Sequence, residues 1–176
     1  MNNKKLGIYI HIPFCIKKCH YCDFCSFPDA NGSLMERYTS ALCEKIRDFS
    51  PLAREYSVDT VYFGGGTPTL LPLEHFKKIM SVLLSEYDIE KNAEITCECN
   101  PASIDGAGLT ALRGLGINRL SIGLQSANEN ELRALGRVHS FEDFKRTFFE
   151  ARAAGFDNIS ADLMYGIPHQ TLESFS

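Results

Sequence analysis

Cys15, Cys19, Cys22 and Cys25 stand as CxxxCxxCxxC, a spacing at which a single loop can wrap several thiolates around a metal centre. Thiolates are soft ligands and suit iron–sulfur clusters or zinc. A structural zinc site takes four ligands, usually as two separated chelating pairs, and no second CxxC pair follows in the chain. Three thiolates on a cubane leave one iron open for chemistry. A fourth, from Cys25, would saturate the cluster and make an electron carrier or a structural centre. Spacing alone admits both.

A second motif is Gly64-Gly65-Gly66-Thr67-Pro68, directly after a β-rich run. Successive glycines let a ligand approach the backbone and use its N–H groups, and they also suit a tight strand-to-helix turn. The motif lacks the lysine of a phosphate-binding loop and the spacing of a dinucleotide fingerprint.

The elements that must position these motifs are legible from periodicity. Strands are predicted near residues 7–12, 58–63, 94–99, 118–123 and 158–163, alternating with helical segments, the pattern of repeated βα units on a parallel sheet. Leu34, Tyr38, Leu42, Ile46 and Phe49 form one helical stripe, and Phe76, Met80, Leu83, Leu84 and Tyr87 form another. Ser33 and Glu36 read as a capping box for the first helix, and Gly116 and Gly155 as helix stops.

Alternation assigns each strand two faces. Ile8, Ile10 and Ile12 oppose Tyr9 and His11. Ile95, Cys97 and Cys99 oppose Thr96, Glu98 and Asn100. Leu120, Ile122 and Leu124 oppose Arg119, Ser121 and Gln125, and Ile159, Ala161 and Leu163 oppose Asn158, Ser160 and Asp162. One face suits a helix layer; the other is polar. A closed TIM barrel fills its interior with branched apolar residues, so a polar lumen predicts an open barrel around a large polar ligand. A sheet with one solvated face is the alternative, although parallel sheets are rarely left bare. Five strands cannot close an eight-stranded barrel. The fold class expected is therefore α/β, a partial (β/α) TIM-like barrel, the N-terminal portion of a longer chain, with residues 1–176 as one incomplete core domain.

With 176 residues, 44% hydrophobic and 23% charged, the composition is that of a globular protein. A net charge of −4 argues against a mainly electrostatic nucleic-acid or membrane-surface partner. Seven cysteines, an odd number, four of them crowded together, favour metal in a reducing compartment over disulfides. The start, MNNKKLGIYIHIPF, has no signal-peptide cleavage site, and no apolar run approaches the roughly 20 residues of a membrane span. A cytoplasmic protein is expected.

YIHIPFC, the CxxxCxxC followed by Asp23-Phe24, and GGGTP together resemble the oxygen-independent coproporphyrinogen III oxidase-like family of the radical S-adenosylmethionine (SAM) superfamily. The likeness continues through Glu98-Cys99-Asn100-Pro101, Ser121-Ile122-Gly123-Leu124-Gln125-Ser126, Leu135-Gly136-Arg137 and Asp162-Leu163-Met164-Tyr165-Gly166-Ile167-Pro168. The resemblance implies that Cys15, Cys19 and Cys22 hold a 4Fe–4S cluster whose free iron takes the amino and carboxylate groups of SAM. It implies SAM contacts at Tyr9, Tyr21, Gly65, Gly66, Thr67, Glu98, Gln125, Arg137 and Asp162, with Arg137 able to pair a carboxylate bidentately. The chemistry implied is one-electron cleavage of the sulfonium carbon–sulfur bond to a 5′-deoxyadenosyl radical. A reducing electron donor of flavodoxin or ferredoxin type, heme or porphyrin, and a heme-accepting protein are the partners implied.

Within that family the chain resembles the heme chaperone paralogue more than the oxidase. The oxidase has an N-terminal extension before YIHIPFC, and it carries a CxC where this chain has Phe24 and delays its cysteine to Cys25. Heme as cargo is then expected, with oxidative decarboxylation of coproporphyrinogen as the alternative and a saturated electron-carrying cluster as a third reading. Cys43, Cys97 and Cys99 are expected to be buried small hydrophobes. His11 suits the lumen or the core equally, and Lys17 and Lys18 a solvated loop.

Overall fold

The protein is described by a computed structural model over residues 4–28 and 31–175. In chain order the elements are β1 (Lys4–Ile12), β2 (Phe14–Cys15), β3 (Phe27–Pro28), α1 (Gly32–Phe49), β4 (Tyr56–Gly65), α2 (Leu73–Glu86), β5 (Ile89–Cys99), α3 (Gly106–Gly114), β6 (Arg119–Gln125), α4 (Glu129–Ala134), α5 (Phe141–Ala153), β7 (Asn158–Leu163) and α6 (Leu172–Phe175). The main sheet has five strands in the order β1-β4-β5-β6-β7, every neighbouring pair parallel. Strands adjacent in sequence are adjacent in space and the order never reverses. That is the winding of a (β/α) barrel rather than of a doubly wound sheet, and it forms the expected partial barrel.

Helices cover one face. Ile10, Ile12, Val61, Phe63, Ile95, Cys97, Leu120 and Ile122 are buried against Cys43 and Ile46 of α1, Phe76, Ile79, Met80 and Leu83 of α2, and Leu109 and Leu112 of α3. Burying a side chain of this size contributes about 1.5–3 kcal/mol. The three cysteines read as hydrophobes lie in this layer, Cys43, Cys97 and Cys99 being at most 2% exposed. Gly116 and Gly155 have φ of +98° and +89°, the left-handed conformation that ends α3 and α5.

Three local expectations need correction. Asn31, not Ser33, caps α1: its side chain accepts the backbone N–H of Leu34 and the Ser33 hydroxyl (2.8 Å). Asn is as good an N-cap as Ser, and Asn31 has the extended backbone a cap requires. The buried faces are also rotated. Thr39 and Cys43 are buried on α1 while Leu34 and Phe49 are exposed, and on α2 Ile79 and Val82 replace Leu84. A 3.6-residue period defines a stripe, but packing selects which side of it meets the sheet. On β7, Ala161 and Leu163 are exposed, because β7 lies at the sheet edge, where the helix layer does not reach them.

Candidate functional site

The cysteine loop leaves the barrel after β1 and returns at the same place, because β2 and β3 pair in parallel and Phe27 N–H donates to Pro13 O at 2.7 Å. Cys22 N–H closes a turn on Cys19 O (3.1 Å). Between them His20 reaches the end of α4: its N–H donates to Leu135 O at 3.0 Å, and its Nδ1 lies 3.1 Å from Ala134 O. Tethered at both ends and in the middle, the loop presents its sulfurs to the carboxyl ends of the strands.

There Cys15, Cys19 and Cys22 line one cavity together with Tyr21, Gly65, Gly66, Thr67, Glu98, Gln125, Arg137 and Asp162. Its empty space, open mouth included, is about 690 Å³. Tyr9 is not on its wall. It stacks on Tyr62, ring centroids 6.1 Å apart, and its hydroxyl lies 3.1 Å from His11 Nδ1. Cys25 is exposed and also lies off the wall, its carbonyl accepting from His11 Nε2 at 2.8 Å. Among the described residues no three His, Cys, Asp or Glu side chains converge closely enough to share a single metal ion. A cubane needs no such convergence, since each thiolate goes to a different iron.

Glu98 is anchored at both oxygens, Tyr62 Oη donating to Oε1 at 2.9 Å and Gly65 N–H to Oε2 at 3.0 Å. Each oxygen keeps a further lone pair for a ligand. Burial pushes the Glu98 carboxyl above its ordinary range, Tyr62 and Gly65 pull it down, and the negative charge of Asp162 pushes it up again. Tyr62 in turn is held well above a normal phenol by burial and by Glu98. Burial raises Tyr21 as well, with Arg137 acting against it. Asp162 accepts from Ser121 Oγ at 3.0 Å.

Of the two uses open to the glycine motif, its backbone N–H groups serve the close strand-to-loop turn. Its N–H groups are engaged inside the protein: Gly65 with Glu98 (3.0 Å), Gly66 with Ile12 O (2.8 Å) and Thr67 with Phe14 O (2.7 Å). A Cβ on Gly66 would sit 2.6 Å from Phe14 O, and one on Gly65 2.6 Å from the His11 ring. The glycines therefore let β4 close against the start of the cysteine loop, and none of these three N–H groups is left for a ligand.

Arg137 is likewise more engaged than a free carboxylate fork. Its Nη2 donates to Asn100 Oδ1 (2.6 Å) and Gly123 O (2.7 Å), and its Nη1 lies 3.6 Å from Cys19 Sγ. Only Nε is buried without a partner, as is Ser26 Oγ on the same cavity. A buried unsatisfied donor costs about 1–3 kcal/mol, so both atoms suit a ligand that accepts. Asn100 and Ser121 line the cavity and Tyr62 anchors Glu98 from behind its wall, three roles that the motifs did not assign. Asn100 and Ser121 lay on faces already read as polar, and the alternation of Tyr62 with Val61 and Phe63 was the signal for the third.

Residues 9–176 match the Radical SAM superfamily. The heme chaperone HemW of Bacillus subtilis is 39% identical over 169 residues, 94% of this chain and 44% of the relative. The oxygen-independent coproporphyrinogen III oxidase of Synechocystis is 34% identical over 177 residues, 99% of this chain and 38% of the relative. The solved coproporphyrinogen III oxidase of Escherichia coli, described as a radical SAM enzyme, superposes with a TM-score of 0.90 at 34% identity, over 98% of this chain and 40% of that one. The chain thus spans less than half the length of these relatives.

Proposed function

Because the chain belongs to the radical SAM superfamily, we propose that residues 1–176 form the N-terminal part of its core domain and hold a 4Fe–4S cluster on Cys15, Cys19 and Cys22, with SAM at the open iron. The supporting observation is the convergence of three thiolates from one loop with Glu98, Gln125, Arg137 and Asp162 on a single cavity. The residues suit both groups. Thiolates are the ligands of such clusters, and the unpartnered Arg137 Nε and Ser26 Oγ are donors for an anionic ligand.

When bound, the cluster and SAM supply one-electron reductive cleavage of the sulfonium carbon–sulfur bond. The chain binds and orients. Glu98 and Asp162 offer acceptors to an ammonium or to hydroxyls, and the Gln125 amide can do either. Arg137 and Thr67 direct donors at the sulfurs of Cys19 and Cys15.

The finer reading we favour is a heme chaperone-like protein that binds SAM and carries heme. Phe24, where the oxidase has its CxC, supports it. Coproporphyrinogen oxidation is the second reading, supported by the close superposition on the Escherichia coli oxidase. Both readings place the protein in heme or porphyrin metabolism in the cytoplasm, served by a flavodoxin- or ferredoxin-type reductant. Anaerobic reconstitution of the full-length protein, reduction with SAM and assay for 5′-deoxyadenosine test the cofactor assignment. A spectral change on heme titration is expected, whereas conversion of coproporphyrinogen III to protoporphyrinogen IX would replace the chaperone reading with the oxidase.

A further inference from the structure

The Asn100 side chain has no recorded hydrogen bond to Cys15, Cys19 or Cys22, yet it joins two residues that each reach a different one of these cysteines. It follows β5 directly and precedes Pro101, whose ring drives the residue before it into extended backbone. Its carbonyl is held by Ser103 N–H at 3.1 Å and Ser103 Oγ at 2.5 Å. The main chain is thereby fixed, and the amide projects into the cavity wall.

The two ends of that amide are distinguishable. Arg137 can only donate, so the atom 2.6 Å from its Nη2 is the amide oxygen. The nitrogen then faces Thr67 and donates to its Oγ1 at 2.7 Å. With its oxygen accepting, the Thr67 hydroxyl directs its own proton elsewhere, and Cys15 Sγ lies 3.7 Å away. Thr67 is only 3% exposed, so water does not compete. On the other side, Asn100 Oδ1 and Gly123 O engage both N–H groups of Arg137 Nη2 and turn Nη1 toward Cys19 Sγ, at 3.6 Å. Gly123 makes room for this joint, since a Cβ there would lie 3.1 Å from both Arg137 Nη2 and Asn100 Oδ1.

We propose that Asn100 is a positioning residue that aims the Thr67 hydroxyl at Cys15 and the Arg137 guanidinium at Cys19, and thereby sets the reduction potential of the cluster those cysteines hold. The proposal rests on the cluster assignment above. Donors to a ligand sulfur favour the more negative, reduced cluster, so hydrogen bonding at the sulfurs raises the potential.

The test is the midpoint potential of the anaerobically reconstituted full chain, followed by electron paramagnetic resonance during redox titration. Asn100→Leu keeps the volume, adds no charge and removes both contacts. At a fixed potential it is expected to shift the ratio of reduced to oxidised cluster at least tenfold toward oxidised, a fall of about 59 mV for a one-electron couple. Thr67→Val is expected to lower the potential in the same sense, and the double variant by less than the sum of the two. A wild-type potential in Asn100→Leu, with or without a lowered melting temperature, overturns the proposal. Should Asn100→Leu take up no cluster, Gly123→Ala is read instead, and an unchanged potential there overturns it equally. A wild-type chain that loads no cluster overturns the underlying assignment and the proposal with it.

Discussion

His20 donates its backbone N–H to the carbonyl of Leu135 at 3.0 Å, so the cysteine loop is docked on the last turn of α4, where helix carbonyls lack partners of their own. Gly136 follows immediately, with φ at +74°, and a Cβ there would lie 3.0 Å from the His20 ring. Two of the loop's sulfurs flank His20. The position of Cys19 and Cys22 therefore depends on a contact with a segment more than a hundred residues away.

Gly136→Ala tests this dependence. Backbone strain of this kind costs about 1–3 kcal/mol, and the methyl also pushes on the His20 ring. We expect a stability loss of that size in urea denaturation, together with reduced iron uptake on reconstitution. A variant that loads iron like the wild type would show that the loop is held by its two ends alone.

Replacing Cys15, Cys19 or Cys22 by Ser is expected to abolish the visible absorbance of the reconstituted protein, whereas Cys25→Ser and Cys43→Ser retain it. Cys25 is exposed and Cys43 buried in the helix layer. Removing the cluster with an iron chelator should leave the far-ultraviolet circular dichroism nearly unchanged, because none of the three ligands belongs to the buried core. A large loss of helical signal would mean that the metal holds the fold.

Glu98 should control SAM affinity and its pH dependence. In Glu98→Gln one of the two anchoring donors, Tyr62 Oη or Gly65 N–H, meets an amide N–H₂ instead of an oxygen. We expect calorimetry to show an affinity about tenfold weaker, equivalent to about 1.4 kcal/mol. Burial raises the Glu98 carboxyl while Tyr62 holds it down. Wild-type affinity should therefore fall as the pH drops toward a point above the usual carboxylate range, and Tyr62→Phe should move that fall to higher pH. Identical profiles for the two proteins would remove Glu98 from the ammonium site.

His139 predicts an acid limb in stability. It is 5% exposed, with Nε2 3.2 Å from Leu124 O, and burial together with the charge of Arg137 lowers its pKa to about 4. Between that value and the ordinary histidine value of about 6.5, the unfolded chain binds a proton that the folded one does not. Stability therefore rises with pH through this window. The neutral ring's contribution is complete above the unfolded value and is lost as pH falls toward 4. At about 1.36 kcal/mol per unit the span is of order 3 kcal/mol. Urea midpoints at pH 5 and pH 7 should differ for the wild type and converge in His139→Gln.

Much of this protein is legible in its sequence because the relevant physics is local. Alternation along Ile95–Asn100 and Arg119–Gln125 separates a helix-facing side from a polar side, since successive strand residues point to opposite faces. That alone sent Cys97 away from Cys15, Cys19 and Cys22 and put Glu98 and Gln125 on one wall, whereas Cys99, buried at the end of β5, also reaches the lining of their cavity. The cysteine spacing announces soft-metal ligation for the same reason, as three thiolates on one short loop have few other uses.

Which hydrogen-bonding groups remain free for a ligand was decided only in three dimensions. The glycine motif suited either a source of N–H donors or a tight turn, and Ile12, Phe14 and Glu98 accept from Gly66, Thr67 and Gly65. Arg137 looked like an open fork, but Asn100 and Gly123 occupy Nη2. Tyr9 has the right face of β1 yet stacks on Tyr62, outside the cavity wall. In each case the partner comes from a distant part of the chain. Residue type and spacing determine what a group can do. Only packing, which brings unrelated segments within three ångströms of one another, determines whether that capacity is already engaged.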